Sequence, residues 1–149
     1  MGSQSDHSIM KDCEKILKIL KVKYQVSIVS AHRTPKRMFD FADKAEKNGF
    51  GVIVAGAGGS AHLAGMVASL TTLPVIGVPI ESKKLKGLDS LLSVNQMPQG
   101  VVVATVAIDG AFNAGILAAS IIGNFDEKVK SNLEKWRRVQ TQSIKKKPK

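Results

Sequence analysis

One cysteine in 149 residues excludes an internal disulfide. Cys13 falls on the apolar side of a helical pattern, where a packed thiol is expected rather than a nucleophile. A chain without disulfides suits a reducing compartment, and the cytoplasm is the expected location. No apolar run is long enough to span a bilayer, the most hydrophobic stretch (114–122) reads as a buried helix, and there is no signal or lipidation motif. No membrane partner is expected. Aromatics make up 5% of the residues, so the core must be Val, Ile, Leu and Ala packed between layers. Acids are also scarce, 12 against 22 Lys and Arg. The few near the polar loops are too few for a two-carboxylate mechanism, and no Cys/His/carboxylate cluster has metal-ligand spacing. No metal site is expected from these spacings. The net charge of +10 is not a nucleic-acid footprint. Much of it lies in the tail Lys145-Lys146-Lys147-Pro148-Lys149, and Lys11, Lys15, Lys18, Lys21 and Lys23 are spaced as a solvated helix face. Neither segment interleaves aromatics for base stacking. An anionic small molecule suits the same charge.

What is present alternates. Ile9, Cys13, Ile16, Leu17 and Leu20 form a helical stripe, followed by a strand-like run at 24–29. The next helix should run to about Lys47 with Met38, Phe41, Ala42 and Ala45 inward and Gly49 as its C-cap. Strands are expected at 52–54, 75–78 and 101–104, and helices at about 62–70, 88–92 and 111–122. Apolar strands without alternation are buried on both faces, which implies a parallel sheet covered by helices. The expected architecture is a three-layer, flavodoxin-like α/β domain spanning 1–142, with a basic, disordered tail at 143–149. A last helix, 126–142, carries Val129, Leu133 and Trp136 in one narrow stripe, which either its own domain or a neighbouring subunit can cover.

The start breaks the pattern. Gly2-Ser3-Gln4-Ser5-Asp6 reads as the turn after a strand, yet no strand feeds it. In a flavodoxin-like order that strand is central, so two buried edges would be left unpaired. A start further upstream is the expectation.

Three polar loops should meet at the carboxyl ends of the strands. The first is Gly2–Asp6. The second, Ser30-Ala31-His32-Arg33-Thr34-Pro35, sets a hydroxyl, an imidazole and a guanidinium before a helix opened by Thr34 as N-cap and Pro35. The third, Gly56-Ala57-Gly58-Gly59-Ser60-Ala61-His62-Leu63-Ala64-Gly65-Met66, offers backbone amides at close range. It has neither Walker nor dinucleotide spacing. Anions bind at this end of open α/β sheets, beside helix N-termini.

These loops, with Gly77-Val78-Pro79, Gly87-Leu88-Asp89-Ser90-Leu91-Leu92-Ser93, Gln96-Met97-Pro98 and Ala104-Thr105-Val106-Ala107-Ile108, resemble the class I N5-carboxyaminoimidazole ribonucleotide mutases (the PurE family) over residues 1 to about 142. The resemblance implies a purine-biosynthesis isomerase without metal or cofactor, assembled as a homo-octamer, acting on a phosphoribosyl aminoimidazole. It implies that His32 is the catalytic acid–base. Ser3, Ser5, Asp6, Ser30 and Arg33 are implied to hold the ribose phosphate, with Asp6 on the ribose hydroxyls. Gly58, Ser60, Ala61 and His62 are implied to enclose the migrating carboxylate. Asp6 and His62 also read as helix-start residues. Three departures stand out: Ala64 and Val102 each replace a usual proline, and 108–113 is shorter than the common version. The alternatives are a class II carboxylase using free carbon dioxide, and a non-catalytic phosphoribosyl- or RNA-binding module.

Overall fold

The computed structural model describes residues 1–147. Three parallel strands, β1 (Ile53–Gly58), β2 (Val75–Ile80) and β3 (Ala104–Thr105), lie in the order β1-β2-β3. Their register sets Ile53 opposite Val75 and Ile76 opposite Ala104. Every residue of β2 is buried, as a strand covered on both faces must be. Six helices surround the sheet: α1 (His7–Ile19), α2 (Pro35–Ala45), α3 (Leu63–Ala68), α4 (Leu88–Asn95), α5 (Ala111–Ile122) and α6 (Glu127–Ser143). A 3-10 turn, Gln4–Asp6, leads into α1.

The layers follow the predicted stripes. On one face α1 and α5 pack Met10, Cys13, Leu17, Ala114 and Ala118 against Ile76 and Val78. The small residues of α5 allow close approach, since a Cβ on Gly115 would meet the Cys13 carbonyl at 3.1 Å. On the other face α2, α3 and α4 contribute Met38, Ala42, Leu63, Val67 and Val94. Burial pushes the Cys13 thiol up to about 12, with the neighbouring Glu14 charge adding to it. Cys13 is thus the packed thiol expected of its position.

Beyond Ala45, α2 tapers through turns into a Schellman-type end. Phe50 N–H donates to the Ala45 carbonyl, Gly49 N–H donates to Glu46, and Gly49 takes the left-handed φ of +82°. The last helix settles onto its own domain. Val129, Leu133 and Trp136 meet Ile16, Leu20 and Phe112, and the Asn132 amide donates to the Leu20 carbonyl at 3.0 Å. Asp126 caps this helix by accepting from the Lys128 and Val129 amides. Ser143, expected as the first residue of the tail, is instead the last of α6, because its hydroxyl bonds back to the Gln140 carbonyl. Residues 144–147 follow outside any helix or strand, and Pro148 and Lys149, the end of that tail, lie outside the described residues.

Two strand expectations change. The last strand begins at Ala104 rather than Val101, because Val101 N–H is committed to the Pro98 carbonyl in a turn and Val102 points to solvent. Residues 24–29 are extended but join no ladder beyond Met1. A strand exists only where a neighbour accepts its backbone bonds, and here the neighbouring position holds Met1 and Gly2 alone.

Candidate active site

Met1 and Gly2 tie the three polar loops together. Val29 N–H donates to the Met1 carbonyl at 2.9 Å, and Gly2 N–H donates to Gly56 at 3.1 Å. Arg33 reaches from the second loop to the first, its Nη2 donating to the Gly2 carbonyl at 3.1 Å. Within the first loop Ser3 Oγ lies 2.7 Å from Ser5 Oγ, and buried Asp6 accepts the Ser3 N–H at 2.8 Å. Asp6 gives α1 no side-chain cap bond, and closes the 3-10 turn instead.

The second loop is wound on itself. Ser30 Oγ accepts the Arg33 N–H at 3.2 Å, and Thr34 Oγ1 accepts the Ser30 N–H at 2.8 Å. Thr34 therefore does not cap α2 with its side chain, contrary to its sequence position. Its hydroxyl is spent closing the loop. The result is a stiff turn that leaves the His32 and Arg33 side chains exposed.

The third loop brings the second imidazole. His62 Nδ1 lies 2.9 Å from His32 Nε2, and the rings meet edge to face at 4.9 Å between centroids. One proton is shared across that contact, since two bare imidazole nitrogens repel. His62 stands at the entrance of α3, and its own N–H bonds the Ser60 carbonyl at 2.9 Å. Ala61 is fully buried beneath it, while Gly58 and Ser60 are exposed at the rim. Gly59 turns the chain at φ +69°, a conformation that costs a side-chain-bearing residue energy.

Ser90 and Ser93 hold this loop, and no role was read for them from sequence. Gly59 N–H donates to Ser90 Oγ at 2.8 Å, while that hydroxyl donates to the Ile80 carbonyl at 2.6 Å. Ser93 Oγ donates to the Gly59 carbonyl at 3.3 Å. The available signal was a hydroxyl amid leucines on α4, since a fully buried serine needs partners. No group of three or more His, Cys, Asp or Glu suited to a metal ion occurs among the described residues.

The arrangement can do two things. Arg33 and the short hydroxyls of Ser3, Ser5 and Ser30 offer charge and donors to an oxyanion. The imidazole pair offers a group that can both accept and donate a proton.

The chain matches the family model of AIR carboxylase over residues 1–143. It is 53% identical over 149 residues to the N5-carboxyaminoimidazole ribonucleotide mutase of Pyrococcus horikoshii, covering all of this chain and 84% of that one. It is 58% identical over 142 residues to the Thermotoga maritima protein of the same name, covering 93% and 83%. The crystal structure of Treponema denticola PurE superposes with a TM-score of 0.86 at 27% identity, covering 97% of this chain and 90% of that one. Conserved architecture, ordered motifs and half-identical relatives agree: the chain belongs to the AIR carboxylase family.

Proposed function

We infer that this chain is an isomerase, an N5-carboxyaminoimidazole ribonucleotide mutase that moves a carboxylate from the exocyclic nitrogen to ring carbon C4. The carrying observation is the His32–His62 contact at 2.9 Å beside a glycine-rich loop, in a chain half-identical to relatives bearing that name. The bond changes balance around one proton. His32 gives it to the exocyclic nitrogen as the carbamate C–N bond breaks and carbon dioxide leaves. C4 then attacks carbon dioxide, and His32 takes the proton that C4 sheds. Such a shuttle is worth about 10²–10⁴ in rate. His62 holds the His32 ring in register across the shared hydrogen bond.

Arg33, Ser3, Ser5 and Ser30 take the 5′-phosphate, and Asp6 accepts from the ribose hydroxyls. Gly58, Ser60 and Ala61, with His62, wall the pocket that retains carbon dioxide. A reducing cytoplasm is the compartment that suits a single cysteine, free and buried. The enzyme assembles as a homo-octamer. Exposed Met66, Leu85, Leu88, Leu92 and Val102 favour self-association over a solvated monomer.

The test is ultraviolet-monitored conversion of N5-carboxyaminoimidazole ribonucleotide with no metal, nucleotide or bicarbonate added. Turnover supports the mutase. Turnover only from aminoimidazole ribonucleotide with bicarbonate makes it a class II carboxylase, and ligand binding without either makes it a binding module.

A further inference from the structure

The last rung between β1 and β2 is not a direct one. Ile53 N–H donates to the Pro74 carbonyl, and the same register, which sets Gly58 opposite Ile80, would carry Gly59 N–H to the Ile80 carbonyl. Ser90 Oγ occupies that place instead. It accepts the Gly59 N–H at 2.8 Å and donates to the Ile80 carbonyl at 2.6 Å. Two bonds in series replace one, so the strands part by the width of a hydroxyl where the glycine-rich loop begins. Only a group that both accepts and donates can fill such a rung.

The helix that supplies this hydroxyl is itself fixed. Ser90 is fully buried on α4, and Val94, one turn on, is fully buried against the sheet. From the same helix Ser93 Oγ donates to the Gly59 carbonyl at 3.3 Å, so α4 holds both backbone groups of Gly59. Gly59 leaves that grip at φ +69°, and three residues later the chain reaches His62 at the head of α3. Among the described residues, the contacts to Ser90, Ser93 and His32 are the hydrogen bonds that tie residues 59–62 to elements other than α3.

We propose that Ser90 is a positioning residue for the reaction: with Ser93 it holds residues 58–62 closed over carbon dioxide, and so favours recapture at C4 over escape. This role rests on the function proposed above. Carbon dioxide carries no charge for Arg33 to hold, so walls alone retain it. On escape, the carbamate C–N bond has broken and the nitrogen has kept the proton from His32. No bond forms at C4, and His32 regains its proton from solvent. The products are the free amine, aminoimidazole ribonucleotide, and carbon dioxide. Without the Ser90 hydroxyl, the Gly59 N–H and the Ile80 carbonyl are left unpaired or close on each other into an ordinary rung. Either way the loop moves, while Ser3, Ser30 and Arg33 stand on other loops and keep their places.

The test compares the parent with Ser90→Ala and Ser90→Thr, each given N5-carboxyaminoimidazole ribonucleotide. The readout is the amine released per C-carboxylated product, above an enzyme-free control, together with isotope taken into product from labelled bicarbonate. Ser90→Ala should raise that ratio about tenfold or more and admit label, with KM within about threefold, as a change in partition rather than in binding requires. Ser90→Thr, which keeps the hydroxyl, should hold the ratio near the parent's. Amide hydrogen exchange at Gly59 reads the grip without turnover, and should quicken about tenfold or more in Ser90→Ala alone. Unchanged exchange there overturns the grip. An unchanged ratio, with quicker exchange or a lower kcat, overturns the retention, since a merely structural loss slows turnover without diverting it. A threonine variant that protects Gly59 yet leaks like the alanine one overturns it too. A parent that makes no product overturns the function proposed above, and the Gly59 amide still decides the grip. Should Ser90→Ala fail to fold, Ser93→Ala, at a half-buried position, must raise the ratio about threefold or more, and an unchanged ratio overturns the proposal.

Discussion

The two sides of the sheet differ in completeness although their sequences look alike. Val75-Ile76-Gly77-Val78 and Val26-Ser27-Ile28-Val29 are both short β-branched runs that end at a polar loop. The first is a fully buried strand paired on both edges. The second leaves Val26 and Ile28 substantially exposed, and among the described residues its backbone bonds to Met1 and, through the Ile28 carbonyl, to the Arg37 guanidinium. Strand character therefore belongs to the neighbours as much as to the residues. The two imidazoles of the candidate site divide along this line. His62 is carried by the complete side and His32 by the incomplete one, and they meet across the join at 2.9 Å.

The largest effect should come from the incomplete side. His32→Asn should lower kcat by about 10²–10⁴ while ligand binding persists; turnover within threefold of the parent would remove His32 from the chemistry. Arg33→Ala, on the same loop, should raise KM about ten- to a hundredfold with a smaller change in kcat, as loss of a charge-assisted bond to phosphate requires. An unchanged KM would move the phosphate elsewhere. On the complete side, Gly77→Ala should cost about 1–3 kcal/mol in urea unfolding, because a Cβ there overlaps the Val94 and Val103 methyls. Cys13 measures how dry the packing between α1, α5 and the sheet is, since it sits within it. The unfolded thiol ionises near 9, whereas the folded one does so only near 12. Above pH 9 the unfolded state thus binds fewer protons, and stability should fall with rising pH by up to about 1.4 kcal/mol per pH unit. Comparing Cys13→Ala with the parent across pH 8–11 isolates that slope, and identical slopes would mean that this layer is wet. The smallest effect should be at the open edge, where Val26→Ala should stay within about 0.5 kcal/mol. A loss as large as that of Gly77→Ala would erase the contrast between the two sides.

Much of this was legible in the sequence, for identifiable reasons. Helical stripes are local signals, so Cys13, Ile16 and Leu17 faced the core as their spacing required. Gly49 ended its helix for the same kind of reason, since only neighbours a few residues away decide a left-handed cap. Thr34 was misread because two uses compete for one hydroxyl, and the loop won over the helix. The His32–His62 bond and the Ser90 support join residues about 30 apart in sequence. No periodicity encodes a contact between two loops, so these needed the fold itself.

The Ser90 hydroxyl, which links Gly59 to Ile80, gives the two imidazoles unequal footings. His62 stands on a loop bolted by hydrogen bonds to both α4 and β2, while the turn of His32 is joined by hydrogen bonds to the first two residues and held by the packing of Val29. The separation of the rings thus works as a built-in gauge. Slackening at the head of the chain should register there, as a lengthened contact between the two rings. A nuclear Overhauser effect between the two rings would read that gauge directly, without substrate and without turnover.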